Sequence, residues 1–204
     1  MDKFLNLTIE KQNSIIDAAL KAFGKNGYKK TSASDIAAAA GISKAMIFHY
    51  FGTKKALYLY LINLSGSLIM KEIDDKFDYG VTDFFERIKI SSSIKIAVLK
   101  QHPPMMSFLT GVYFEEDEEV KGDIKKIIVG SEGFKNKIIK EDIDYSKFKE
   151  DVDIKLLVKM IYWLADGYAK QFSEQGEIDY ESLYNEFSDC LNLLKNNLYK
   201  EKYK

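Results

Sequence analysis

Residues 31–57 read TSASDIAAAAGISKAMIFHYFGTKKAL, and their punctuation decides the fold. Ser32 followed three residues on by Asp35 is a capping-box-like start, in which the hydroxyl satisfies an orphan amide and the carboxylate reaches back. It predicts a short helix over 33–40, with Ile36 and Ala37 facing inward. Gly41 closes that helix, Ile42 packs the turn, and Ser43 caps a second helix from Lys44 to about Phe51. Gly52 ends the second helix, and Thr53 caps a longer one running to about Lys76. Two short helices joined by a tight glycine turn make helix-turn-helix geometry.

In such a pair the second helix enters the major groove of DNA. Lys44, Ala45, Met46, Phe48, His49 and Tyr50 are expected on its exposed side, with Ile47 and Phe51 as the buried stripe. Lys54 stands at the next helix start, where an ammonium and free amides suit a phosphate. Ser32 and the amides of residues 33 and 34 can serve in the same way. The competing reading is plainer: Phe48, His49 and Tyr50 as packing residues, and Lys54-Lys55 as a solvated helix start. His49 has no carboxylate or cysteine at ligand spacing, which argues against a metal or general-base role.

Moving toward the N-terminus, Ile15, Ile16, Ala19, Leu20 and Phe23 form one apolar stripe and predict a helix over 8–26. Thr8 is its expected cap and Gly27 its left-handed stop. Moving the other way, helices are expected from Thr82 or Asp83 to Gln101, over 104–114 after the Pro103-Pro104 break, and over 117–140 with irregularity near Gly130 and Gly133. The polar stretch 141–151 reads as a loop, and helices over 153–174 and 180–200 close the chain. No strand-like alternation of any length is present. The expected class is all-α, a three-helix N-terminal domain plus a larger helical bundle, about nine helices in all. The expected division is 1–53 for DNA binding and 54–204 for ligand binding and dimerisation.

Composition narrows the function classes. The 204 residues are 46% hydrophobic and 30% charged, ordinary for a globular protein. The single cysteine, Cys190, excludes an internal disulfide and a multi-cysteine zinc site, and suits a reducing cytoplasm. No signal-like segment or apolar run of membrane-spanning length occurs, so a cytoplasmic protein with no membrane partner is expected. No cofactor, metal site or nucleophile–base pair is evident, which argues against an enzyme. The net charge of -1 conceals an asymmetry. Residues 1–60 carry nine lysines against four carboxylates, a net of +5, and the rest carry -6. A basic head suits a polyanion.

The segment from Ala22 to Ile62 resembles the signature region of TetR-family regulators. It carries Phe23, Gly27, Tyr28, Thr31, Ser32, Asp35-Ile36-Ala37, Ala40-Gly41-Ile42-Ser43, Phe48-His49-Tyr50-Phe51, Lys54 and Leu57 in the family's order. The resemblance implies a DNA-binding set of Ser32, Ser43, Lys44, Ala45, Met46, Phe48, His49, Tyr50 and Lys54. It also implies a homodimer on double-stranded, palindromic operator DNA, with a small-molecule effector releasing it as a repressor. A regulator without such an effector is the alternative. Tyrosine is common in the family where Phe48 stands, so contact there is expected to be apolar, as with a thymine methyl.

For the dimer face, the stripes Leu157, Ile161, Leu164 and Tyr168, and Leu183, Phe187, Leu191 and Leu194, are the candidates. For the effector pocket, the candidates are Met70, Phe108, Tyr113, Phe134, Tyr162, Trp163 and Asp166, an aromatic set with polar handles. Ordinary core packing competes for each of them. The acidic run 115–119 reads as a solvated helix start, or as a cation-attracting mouth.

Overall fold

The computed structural model describes residues 2–173 and 179–204. They form eleven α-helices: α1 (Asp2–Leu5), α2 (Ile9–Lys30), α3 (Ala33–Ala39), α4 (Lys44–Phe51), α5 (Lys54–Lys76), α6 (Phe84–Gln101), α7 (Pro103–Tyr113), α8 (Lys121–Gly130), α9 (Glu132–Ile139), α10 (Ile154–Ser173) and α11 (Tyr180–Leu198). Single 3₁₀ turns lie at Tyr145–Lys147 and Glu201–Tyr203. The fold is all-α, as the helical periodicity implies. The expected end of the tenth helix at Glu174 lies outside the described residues.

The described chain falls into two compact units, 1–68 with 102–130, and 69–101 with 131–204. In the first unit, α2 carries Ile15, Ala19, Leu20 and Phe23 into a core shared with Ile36, Ile47, Leu57, Tyr58, Leu61, Phe108 and Val112. Helices α2 and α7 approach so closely that a Cβ on Gly24 would stand 3.0 Å from the Phe108 amide nitrogen. At Gly27 the backbone turns through φ 71°, a left-handed conformation that favours glycine. The Thr31 hydroxyl then donates to the Ala22 and Gly27 carbonyls at 3.0 and 2.7 Å. Glu115 Oε2 accepts the Tyr28 amide at 2.9 Å, so the freed donor beyond the kink is satisfied.

Helix α1 was not legible, because four residues show no periodicity. Its Phe4 is fully buried against Tyr50, Phe51 and Tyr60, with ring centroids 6.1, 4.8 and 5.7 Å apart.

In the second unit, α6, α10 and α11 bury Phe84, Phe85, Ile88, Leu157, Ile161, Phe187 and Leu191 together. Arg87 is wholly buried there. Its guanidinium donates to the Val81, Lys137 and Ile138 carbonyls at 2.6, 2.8 and 2.8 Å, and lies 5.0 Å over the Phe77 ring. It thereby satisfies the end of α9 and the turn before α6.

Two boundaries depart from the sequence reading. The helix expected over 117–140 is two helices, broken at Ser131. It also starts later, because the Asp117 carbonyl and carboxylate accept the Val120, Lys121 and Glu119 amides in a turn. Helix α11 stops at Leu198 because Tyr199 pairs in extended form with Phe148. The Lys149 amide donates to Leu198 O, and the Lys200 amide to Lys147 O, both at 2.9 Å. One bridge of this kind leaves no alternation in a sequence.

Candidate nucleic-acid interface

The turn between α3 and α4 is built as its residues dictate. Ser32 Oγ accepts the Asp35 amide at 3.1 Å while its hydroxyl donates to the Asp35 carboxylate at 2.7 Å. The Ala40 amide bonds to Ile36 O and the Ile42 amide to Ala37 O, both at 2.9 Å, around Gly41 at φ 68°. Ser43 Oγ then accepts the Met46 amide at 3.3 Å and opens α4. Thr53 Oγ1 caps α5 in the same manner, at 3.0 Å from the Ala56 amide.

Along the eight residues of α4, Ile47, Tyr50 and Phe51 are buried and Met46 is half-buried. Lys44, Ala45, Phe48 and His49 are exposed. Phe48 keeps 39% of its surface, a large amount for an aromatic side chain with no covering element. The Lys44 ammonium stands 5.9 Å from its ring centroid. Ser32 and Ser43 are also exposed, although both hydroxyls already serve as helix caps.

Two candidates are placed otherwise than expected. Tyr50 is only 7% exposed and packs against Phe4 and Phe51. Positions 47, 50 and 51 share one face of a helix, so the buried stripe takes Tyr50 once α1 supplies a partner. Lys54 is half-buried, with its ammonium turned inward. It donates to Tyr28 O at 3.0 Å and Thr31 O at 3.2 Å, and lies 4.2 Å over the Tyr28 ring. A cation at these carbonyls ties the end of α2 to the start of α5. Burial pushes the Tyr28 and Tyr58 phenols well above their ordinary range, so both stay neutral.

Residues 15–61 match the family model described as bacterial regulatory proteins, tetR family. That segment is a TetR-family DNA-binding domain. The chain's relatives include the fatty acid metabolism regulator protein of Bacillus subtilis, 23% identical over 162 residues, covering 76% of this chain and 80% of that protein. A TetR family transcriptional regulator from Chloroflexus aurantiacus shares the fold with a TM-score of 0.77 at 19% identity, over 98% and 99% of the two chains. The Bacillus subtilis regulator FadR, in complex with stearoyl-CoA, gives 0.67 at 22% identity over 88% and 96%. A chain that carries this domain is a DNA-binding transcriptional regulator and not an enzyme.

In the second unit, both stripes expected at a dimer face turn inward. Leu157, Ile161, Leu183, Phe187 and Leu191 are buried within this one chain, and Leu164, Tyr168 and Leu194 pack against them. The Tyr168 hydroxyl lies 3.4 Å from Cys190 Sγ, and that bond, with burial, pushes the phenol up to about 12. The surface of α10 instead offers Leu156, Met160 and Trp163, the last 58% exposed. The stripes are offset by one residue, about 100° around the helix. The more regular stripe is the internal seam, and periodicity alone favours it.

The expected pocket residues are divided between the two units. Phe108 is core of the first unit, in contact with Phe23 and Tyr58. Tyr113 belongs to that unit as well and is exposed. Phe134 packs beside Ile73, Phe77 and Ile138 in the second unit. Met70 and Asp166 are half-buried there, and Tyr162 and Trp163 are exposed beneath the Lys135 and Lys159 ammoniums. A cleft of about 560 Å³ in the same unit is lined by Ile139, Lys140, Tyr145, Ile154, Lys155 and Val158, none of them a candidate. No group of three or more metal-ligating side chains is assembled among the described residues. No helix among them is long and apolar enough to cross a membrane.

Proposed function

We propose that the chain is a cytoplasmic, ligand-responsive repressor that binds a palindromic operator as a homodimer. The observation that carries this reading is the exposed face of α4, where Lys44, Ala45, Phe48 and His49 stand clear beyond a rigid glycine turn. An eight-residue helix with that face suits the major groove, and twofold pairing would set two such helices on successive turns of the duplex. Residues 1–53 serve as the reading head and 54–204 as the regulatory body. The dimer face is the exposed stripe Leu156, Met160 and Trp163 on α10, an apolar strip unlike an ordinary solvated surface. A small, largely apolar effector shifts the body between two states that present the heads differently. Because a related regulator is described with stearoyl-CoA, long-chain acyl thioesters are the first effectors to try.

Footprinting on the DNA flanking the chain's own gene, with and without those thioesters, tests the reading. A protected palindrome released by an acyl thioester is the expected result. Absence of protection, together with shallow salt dependence of duplex binding, would remove it. A palindrome indifferent to every effector would instead support a regulator with no small-molecule ligand. The burial of Phe108 in the core of its own unit, and the exposure of Tyr113 and Trp163, favour that second reading.

A further inference from the structure

We propose that this chain selects its operator chiefly through thymine methyl groups, with Phe48 and Ala45 as the specificity-determining residues. The inference rests on the reading of α4 as the groove-entering helix and adds what that helix can recognise.

It follows from which hydrogen-bonding groups the fold has already used. The Tyr50 side chain is buried against Phe4 and Phe51. The Lys54 ammonium is engaged by the Tyr28 and Thr31 carbonyls. The Ser43 and Ser32 hydroxyls accept the Met46 and Asp35 amides as caps. The sequence contains one arginine, Arg87, and its guanidinium is buried among main-chain carbonyls of the second unit. The commonest strong readout of guanine, a guanidinium bidentate to O6 and N7, is therefore denied to this head.

On α4 that leaves the Lys44 ammonium and the His49 imidazole as exposed polar groups, beside an apolar surface made by Ala45 and Phe48. Residues 45 and 48 are three apart and share a face. In the major groove the apolar feature that distinguishes base pairs is the C5 methyl of thymine. Phe48, exposed in the free protein, gains by burial against such a methyl and has no hydroxyl to offer a phosphate. Lys44, close over the Phe48 ring, fixes the approach by a phosphate or a single base-edge acceptor. The half-site facing α4 is then rich in A·T pairs whose thymines face Ala45 and Phe48.

The test uses the full-length chain. Duplexes are selected from a randomised library by the wild-type protein, and the selected duplex is remade with dT replaced by dU, singly and throughout. The replacement deletes one methyl and leaves pairing intact. Each methyl withdrawn from contact is expected to weaken binding about four-fold. Phe48→Ala should bind the dT duplex more weakly and become indifferent to dT against dU at one position in each half-site. Phe48→Leu, which keeps an apolar group, should retain that sensitivity. Unchanged wild-type affinity for the fully dU duplex would overturn the inference while leaving the regulator reading standing. So would an equal loss by Phe48→Ala on dT and dU duplexes at every position. Failure to enrich any duplex would remove the regulator reading, and this inference with it.

Discussion

A lysine stem four carbons long lets its ammonium reach either outward to a ligand or back to the chain's own carbonyls. Lys44 takes the first course and Lys54 the second. The two mutants should therefore separate. Lys54→Ala leaves two carbonyls without their cation and is expected to cost about 1.5–3 kcal/mol of stability, read as a lower urea midpoint. A Lys54→Ala protein that melts like wild type yet loses duplex binding would return this residue to the phosphate. Lys44→Ala should keep the wild-type midpoint and reduce the salt slope of duplex binding by about 1. The sequence made the caps at Ser32, Ser43 and Thr53 legible because each acts on a residue three positions away. It concealed the partners of Lys54 and Tyr50, because Tyr28 and Phe4 lie more than twenty residues distant and only folding brings them near.

At the scale of elements, the junctions carry the sensitivity. Gly24 lets α2 lie against the α7 backbone, and a methyl there would face the Phe108 amide and the Ser107 side chain. Gly24→Ala is expected to cost about 1–3 kcal/mol, seen as a lower melting temperature, since neither neighbour is a flexible side-chain end. Asp83, at the start of α6, gathers three partners. Its carboxylate accepts the Glu86 amide at 3.1 Å, pairs with Lys147 at 3.0 Å and lies 3.6 Å from Lys195. Burial alone would raise its pKa, but the Lys147 bond, the Glu86 amide and the Lys195 charge outweigh it and hold the carboxyl below its ordinary value. A depressed folded pKa contributes stability above the unfolded aspartate value of about 3.9, lost as pH falls through the folded value. Asp83→Asn should therefore lower the urea midpoint at pH 7, with the gap from wild type closing below about pH 4. A gap that does not narrow at all as pH falls below about 4 would show that the amide disturbs packing and not charge. Helix spans were largely readable from periodicity and caps. The break at Ser131 and the extended pairing of Tyr199 were not, since each depends on neighbours rather than on local preference.

For the whole molecule, the division between basic and acidic parts of the chain was visible from composition, and the surface stripe proposed for association was not. Both stripes of α10 are apolar, and only the placement of α11 decides which becomes interior. Trp163→Arg and Met160→Arg should yield monomers in sedimentation that melt cooperatively. Leu191→Arg, in a fully enclosed position, should prevent folding altogether. Dimers that survive both surface substitutions would place the association elsewhere.

Arg87 gives the protein a built-in reporter. With one guanidinium in the sequence and that one sealed from solvent, a dicarbonyl reagent such as phenylglyoxal has a single guanidinium to modify, hidden in the native state, and its arginine adduct is distinguished by mass from any on an amine. The rate at which that label accumulates measures the fraction of time the surrounding helices stand apart, one site giving one clock. An effector that tightens this half of the chain would slow the clock without any DNA in the tube.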